Sequence, residues 1–324
     1  MSEEEAVVDE GAPEEQDATS PSLIGRVIGL PMTLIRRPLL GVAFLTVASV
    51  AGIKEAAQVL SANLDPEGPL TPASTEWRDS LFAMGRVHYL HGTKVISEAN
   101  LAGAQRRQAP DEQKKGLELL AKAIDPFNEA ARALSTYKRR FPSGPDVVMA
   151  AYMAGDARRQ IALYLQYRRE IESIEITRRN LSNQIKGQLT KSVGHFDSAI
   201  NVIQTQSGAQ MSQLTKRVLR NSYFNKADAL FGLESFAAAE LAYSDVISKY
   251  REQPITLEAC VQMARCHRRL KRLNKASGSI EQAKIILKRI GEKGNFAEST
   301  RYTNYKDWED LLDLLGRTYT TKVK

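Results

Sequence analysis

The sequence predicts an all-α protein in which helical hairpins stack into an α-solenoid, with one transmembrane helix near the N-terminus. Three observations support this fold class. A pattern of small and large apolar residues recurs after 37 residues between positions 223 and 283. Apolar residues follow helical spacing from Trp77 onward. An uncharged apolar run occupies positions 39–53.

Residues 1–22 are predicted to form a disordered acidic tail. The first 20 residues include eight acidic side chains and no basic one, while the whole chain carries a formal charge of +7, so the remainder carries +15. A basic body of this kind can attract nucleic acid, lipid headgroups or anionic cell-envelope polymers. The simpler explanation is a solvated basic surface.

Residues 23–60 are predicted to contain a juxtamembrane segment and the transmembrane helix. The uncharged run Leu39–Ile53 is shorter than the ~20 residues that cross a bilayer. Apolar residues continue to Leu60, however, and Lys54 can extend its side chain toward the interface. We therefore expect a single-pass signal anchor. A cleaved signal sequence and a buried helix of a soluble domain are the alternatives.

Basic residues on one side of the apolar run predict its orientation. Those that precede the run are Arg26, Arg36 and Arg37. The positive-inside rule then keeps the N-terminus in the cytoplasm and places the repeat domain outside it, in the periplasm.

Residues 61–76 contain three prolines and are predicted to be a stiff polar linker. The helical domain is assigned to residues 77–324, and its last helix is expected from about Asn304 to Leu315. One face of that helix carries Trp308, Leu311, Leu312 and Leu315. A solenoid needs such a helix to cover its open end, so we predict that this segment is a cap.

The repeat is clearest between Tyr223 and Ala283. Its first copy consists of Ala227, Leu230, Leu233, Phe236, Ala239 and Tyr243, and its second of Ala264, His267, Leu270, Leu273, Ala276 and Ile280. The small residues allow two helices to approach closely, and the larger ones fill the groove between neighbouring hairpins.

With this pattern the chain resembles the tetratricopeptide repeat family, whose unit is a 34-residue helix–turn–helix. The similarity covers residues 221–290 well and 77–290 loosely. A weaker copy begins at Met84, with a turn expected near His91–Gly92. The resemblance implies a concave groove, formed mainly by the first helix of each hairpin, that holds a segment of a partner protein. By position in the repeat, the groove-facing candidates are Asn225, Lys226, Gln262 and Arg265.

The stretch between Gly155 and Gly187 has no glycine or proline. Either a turn forms near Asn180–Asn183 or one long helix continues through, and we expect the long helix. On it, two couples of arginines would lie 11 residues apart, close to three turns, and form a basic ridge: Arg158 with Arg169, and Arg168 with Arg179. Guanidinium groups suit carboxylates and phosphates, so the ridge could bind an acidic partner segment. A solvated face, partly neutralised by interleaved glutamates, is the alternative.

No catalytic, cofactor or metal motif is recognisable, because the chain lacks a glycine-rich phosphate loop, a nucleophile elbow, an HExxH pair and paired CxxC motifs. Cys260 is expected in the core. Of the histidines, His88 and His267 fall in packing positions, and His195 is expected to be exposed near a turn. We expect no enzymatic activity, cofactor or metal.

The sequence thus predicts a non-catalytic, membrane-tethered scaffold that binds partner proteins. A role in assembling envelope complexes is implied by the resemblance alone. One alternative is a basic repeat protein that binds nucleic acid or an anionic envelope polymer, although aromatic residues among the basic ones are few. Another is an accessory domain that positions a catalytic partner. The sequence does not indicate an oligomeric state.

Overall fold

The computed structural model describes residues 74–101, 110–205, 211–300 and 302–320, together with positions 58, 60, 61 and 64. This part of the chain is helical apart from short connections and contains no strand, so the predicted all-α class is confirmed. The acidic tail 1–22 and the apolar run 39–53 lie outside the described residues. Among those described, no helix combines the length and apolar character that crossing a membrane requires.

The helices follow one another with short connections. They are α1 (Thr75–Leu101), α2 (Pro110–Ala121), α3 (Ile124–Arg140), α4 (Val147–Ile171), α5 (Glu175–Thr205), α6 (Gln213–Gly232), α7 (Phe236–Lys249), α8 (Ile255–Arg269), α9 (Leu273–Ile290) and α10 (Tyr305–Thr320), with a 3₁₀ turn at Phe296–Glu298. Helix α3 packs against α1, and from α3 to α10 each helix packs against the next one along the chain. The pairs α1–α2, α1–α4, α2–α4 and α4–α6 also touch.

The 37-residue repeat is present in the backbone as well as in the sequence. At the α6–α7 turn, Leu233 N–H donates to the carbonyl of Ala229 and Ser235 N–H donates to that of Leu230. At the α8–α9 turn the same two bonds join residues 270 to 266 and 272 to 267. The turn residues Glu234 and Lys271 share a left-handed conformation, with φ of 61° and 60°. The two hairpins therefore end their first helices with the same hydrogen-bonded turn.

Two apolar clusters form the core. The first lies mainly among α1 to α5, and the second lies among α6 to α10. Helix α6 contributes to both, since Val218 and Ala229 belong to the first cluster and Ala227 to the second. Leu60, at the end of the predicted transmembrane segment, is only 2% exposed and lies in the first cluster.

The expectation of one long helix between Gly155 and Gly187 is wrong. Helix α4 ends at Ile171 and α5 begins at Glu175, while residues 180–183, the other candidate turn, lie inside α5. The backbone turns at Glu172, which is extended with ψ of 128°, and its Oε1 accepts a hydrogen bond from the N–H of Ile174 at 3.0 Å. A glutamate side chain thus supports a break for which neither glycine nor proline is needed.

The two helices then run back along each other. The hydroxyl of Ser192 donates to the Gly155 carbonyl at 2.8 Å, and the guanidinium of Arg158 donates to Gln188 at 3.0 Å. Sequence numbers rise on one helix as they fall on the other, which defines an antiparallel hairpin.

The turn expected at His91–Gly92 is also absent, because α1 is continuous from Thr75 to Leu101. Gly92 instead allows close packing, since a Cβ atom there would lie 2.7 Å from Cε1 of Phe127. The C-terminal helix agrees with its prediction. Trp308 is fully buried against α9, and its indole N–H donates to Thr300 Oγ1 at 3.1 Å.

Candidate functional site

A cleft of about 520 Å³ opens where α4, α6 and α8 face one another. We call it the central cleft. Helix α4 lines it with Arg159, Leu163, Gln166, Tyr167, Arg169 and Glu170; α6 and the following turn contribute Asp228, Phe231, Gly232 and Glu234; α8 contributes Gln262, Arg265 and Arg269; and Leu189 and Phe236 complete it. The three residues from α8 are spaced i, i+3 and i+7, which places them on one face of that helix.

Close packing brings the end of α6 to the wall of the cleft. A Cβ atom on Gly232 would lie 2.8 Å from Cδ1 of Leu189, so a larger residue would require the Leu189 side chain or α6 itself to shift. The absence of a side chain at position 232 therefore helps to set the position of α6 beside the α4–α5 hairpin.

A buried polar network lies beneath the cleft. The carboxylate of Asp156 accepts a hydrogen bond from the Tyr89 hydroxyl at 2.8 Å and two from the Arg159 guanidinium at 2.8 and 3.1 Å. Burial opposes the charge on Arg159, but the carboxylates of Asp156 and Asp228 outweigh it and raise the pKa of this guanidinium. Arg159 therefore remains a cation, hydrogen-bonded to Asp156 on its own helix and close to the charge of Asp228.

Asp228 is the acidic group on the floor. The Tyr243 hydroxyl donates a hydrogen bond to its Oδ1. Burial raises the pKa of this carboxyl, and Arg159 counters part of that rise. Ionisation of Asp228 in the folded chain therefore costs free energy, which Arg159 and Tyr243 only partly offset.

The rim of the cleft carries arginines whose planar groups lie over aromatic rings. The guanidinium carbon of Arg265 lies 4.9 Å from the ring centre of Phe231, and that of Arg269 lies 5.6 Å from that of Phe236. Arg265 also donates to Gln262 Oε1 at 2.8 Å. Stacking restricts a guanidinium while leaving its in-plane donors available, so these two side chains present oriented forks to the cleft.

The structure brings together three of the predicted partner-binding residues, namely Gln262, Arg265 and Arg169. Gln262 was expected to be exposed and is only 8% exposed, because its amide is held against Arg265. Asn225 and Lys226 lie elsewhere. Lys226 forms an ion pair with Asp197 of α5 at 2.6 Å, and Asn225 hydrogen-bonds the Tyr152 side chain of α4.

The predicted basic ridge does not exist as one line, since Arg168 and Arg169 end α4 and Arg179 belongs to α5. Arg158 faces α5, where it donates to Gln188, and Arg169 donates to Ser182 at 3.4 Å. Arg179 pairs with Glu175 at 3.1 Å. Arg168 is exposed.

Sequence reasoning missed Arg159, Asp228 and the two phenylalanines. The repeat itself held a clue, because Asp228 lies 37 residues before Arg265 and so occupies the equivalent position of the preceding hairpin. Both residues of this pair line the cleft.

A second polar cluster lies between α3 and α5, away from the cleft. His195, expected to be exposed, is half-buried, with Nε2 3.2 Å from Ser135 Oγ and Nδ1 3.3 Å from Lys138 Nζ. Burial, with Lys138, Arg158 and Lys191 adding to it, lowers the pKa of His195 to about 4. Since an ammonium can only donate, Nδ1 is the acceptor and Nε2–H donates to Ser135.

Within the described ranges, no group of three or more His, Cys, Asp or Glu side chains is placed to hold a metal ion. Cys260 and Cys266 are both buried in the second cluster, and burial raises the pKa of each thiol to about 12. Comparison with known proteins gives no further guide, because no family model matches the chain and no curated protein matches it.

Proposed function

We propose that this chain is a non-catalytic, membrane-tethered scaffold, in which stacked hairpins form an α-solenoid of the tetratricopeptide type and the central cleft binds a segment of a partner protein. The observation that carries the proposal is the pair Arg265 and Arg269, each stacked on a phenylalanine at the rim of a 520 Å³ cleft. The segment is acidic, because oriented guanidinium forks are suited to carboxylates.

The other charges of the cleft favour a peptide over a nucleic acid. Glu170, Glu234 and Asp228 also line it, so a chain of phosphates would face like charge along the same wall. A peptide segment can place carboxylates at the arginines and donate backbone N–H groups to the glutamates. The mixed lining therefore supports protein binding rather than the nucleic-acid alternative.

The binding test uses a fluorescent oligoglutamate peptide, with an oligolysine peptide and a DNA duplex as comparisons. We expect the full chain to bind oligoglutamate best. The Arg265→Glu/Arg269→Glu variant should lose about tenfold or more in affinity, since two charge-assisted contacts become repulsive.

The matched control is Arg139→Glu/Arg251→Glu, which makes the same change in net charge at exposed positions outside the cleft. An equal loss in both variants would mean that binding follows the overall charge, and would overturn the assignment of the cleft. Tighter binding of the duplex than of oligoglutamate would favour the nucleic-acid alternative.

The tether is proposed from the apolar run 39–53 and the arginines that precede it. Since Leu60 packs in the first core cluster, the span would end before that residue. Fusing reporters active only inside or only outside the cytoplasm after Lys324 tests the topology. Export of the C-terminus in a full-length, membrane-bound chain supports the anchor, and a cytoplasmic C-terminus overturns it. A soluble exported product that begins near Gly52 would show a cleaved signal instead.

A further inference from the structure

The tip of the α4–α5 hairpin is an apolar surface that packs against nothing in the described chain. We define it as residues 171–176. Its isoleucines are highly exposed, with 59% of Ile171, 60% of Ile174 and 72% of Ile176 accessible to solvent. From Gln166 to Asn180 no side chain is buried, so the outer part of the hairpin stands clear of the core. Exposed apolar residues grouped in this way mark an interaction surface.

The tip is flanked by arginines on both helices. Arg168 and Arg169 lie within one helical turn of Ile171, and Arg178 and Arg179 lie within one turn of Ile176. At ~1.5 Å per residue, the Cα atoms of these arginines lie about 3–4.5 Å behind those of Ile171 and Ile176 along each helix axis. This spacing is that of an interfacial anchor, whose apolar residues enter the acyl boundary while basic ones meet the phosphates.

The net charge of the hairpin is positive, which favours binding to an anionic surface. Residues 147–205, which form the hairpin, contain eight basic and five acidic residues, a formal excess of three positive charges. Near the tip, residues 168–179 contain four arginines and three glutamates, and Glu175 pairs with Arg178 and Arg179. The net charge near the tip is therefore positive by one.

We propose that the α4–α5 tip docks on the surface of an anionic phospholipid bilayer. A second copy of the chain is a poor occupant, because three isoleucines are few beside the roughly 20–30 residues that each partner gives to a standard interface. A bilayer also accepts an exposed apolar element without a complementary groove. The isoleucines of the tip do not line the central cleft, and Arg169 is shared between the two surfaces.

The experiment places a label at the apex of the full chain. Ser173→Cys is exposed, whereas both native cysteines are fully buried, so an environment-sensitive fluorophore attaches at position 173. The labelled chain is reconstituted into vesicles or mixed with them. One set of vesicles contains phosphatidylcholine alone, and the other contains equal amounts of phosphatidylcholine and phosphatidylglycerol. We expect a blue shift and quenching by lipid-borne quenchers in the anionic vesicles only, both lost at high salt.

The variant Ile171→Ser/Ile174→Ser/Ile176→Ser should weaken this response by about tenfold or more. The matched control is Leu241→Ser/Ile285→Ser/Leu314→Ser, which removes three comparably exposed apolar side chains from α7, α9 and α10. We expect the control to leave the response unchanged.

The proposal would be overturned if the label stayed in water in the presence of anionic vesicles, or if the response were equal in both lipids. A fluorescence shift that appears without vesicles and grows with protein concentration would indicate self-association and would also overturn it. Flotation of the chain with vesicles reports the N-terminal anchor separately. If the chain floats with the vesicles while its label stays in water, the proposal for the tip is refuted and the proposal for the N-terminal anchor is not.

Discussion

The half-buried imidazole of His195 links the packing of α3 and α5 to pH. Burial and three nearby cations, Lys138, Arg158 and Lys191, lower its pKa from 6.5 to about 4. Because the folded pKa lies below the unfolded one, acidification protonates the unfolded chain first. The stability that the neutral imidazole provides is fully present above about pH 6.5 and is lost as the pH falls toward 4.

The size of the effect follows from the shift. A change from 6.5 to about 4 corresponds to about 3 kcal/mol of unfolding free energy. In His195→Gln this titration is absent, so the variant's unfolding free energy should fall less steeply with acidification. The difference between the two proteins should change by about 3 kcal/mol between about pH 7 and pH 4.

Urea unfolding of the full chain and of His195→Gln, each followed by circular dichroism across this range, measures the difference, and an NMR titration of the imidazole gives the folded pKa directly. Burial also lowers the pKa of His88 and of His267, but both remain in the two proteins, so their contributions cancel. A constant difference at all pH values, or a folded pKa near 6.5, would refute the reasoning.

Three further predictions concern the buried network and the C-terminal helix. Asp156→Ala should cost about 3–5 kcal/mol by leaving Arg159 short of its partner, and the double variant with Arg159→Met should lose less than the sum of the two single changes, as measured by hydrogen exchange of α4 amides. Asp228→Asn should raise the unfolding free energy at neutral pH, because burial raises the pKa of the carboxyl. That gain should vanish in urea titrations as the pH falls through the folded pKa toward 3.8. Trp308→Ala should cost about 3–5 kcal/mol and increase exchange first in α9, since the fully buried indole covers that helix.

The repeat was the most predictable part of the fold, because its evidence is local and doubled. Ala227 and Ala264 are both fully buried, and so are Ala239 and Ala276, as a shared packing position requires. Each copy supports the assignment of the other, and α6 and α8 end at equivalent positions, Gly232 and Arg269.

The α4–α5 turn was not predictable by the same reasoning. Residues 172–174 include no helix breaker, and the turn depends on a glutamate hydrogen bond and on contacts between segments about 30–40 residues apart, such as Arg158 with Gln188. Propensity favoured a continuous helix, and tertiary packing opposed it. The predicted basic ridge was wrong for the same reason, because the alignment of Arg168 with Arg179 assumed one continuous helix.

The candidate site was predicted in part for a similar reason. Arg265 and Gln262 were assigned from their position in the repeat and do line the cleft, yet Asn225 and Lys226 at the preceding unit face α4 and α5 instead. Position in the repeat gives the face of a helix. Which neighbour covers that face depends on the long α4–α5 hairpin, whose course the sequence did not show.

The matching turns at Glu234 and Lys271 have a consequence for the length of the array. Because both turns close the same backbone hydrogen bonds, residues 235–271 form a unit whose two ends are interchangeable. A duplicate of this unit inserted after position 271 would be joined on each side by the same kind of hydrogen-bonded turn, and it would add a further pair of helices. Because the insertion would lie before α9, the contact between α9 and α10 would be unchanged. Internal duplication would therefore lengthen the run of hairpins without altering the helices that follow it.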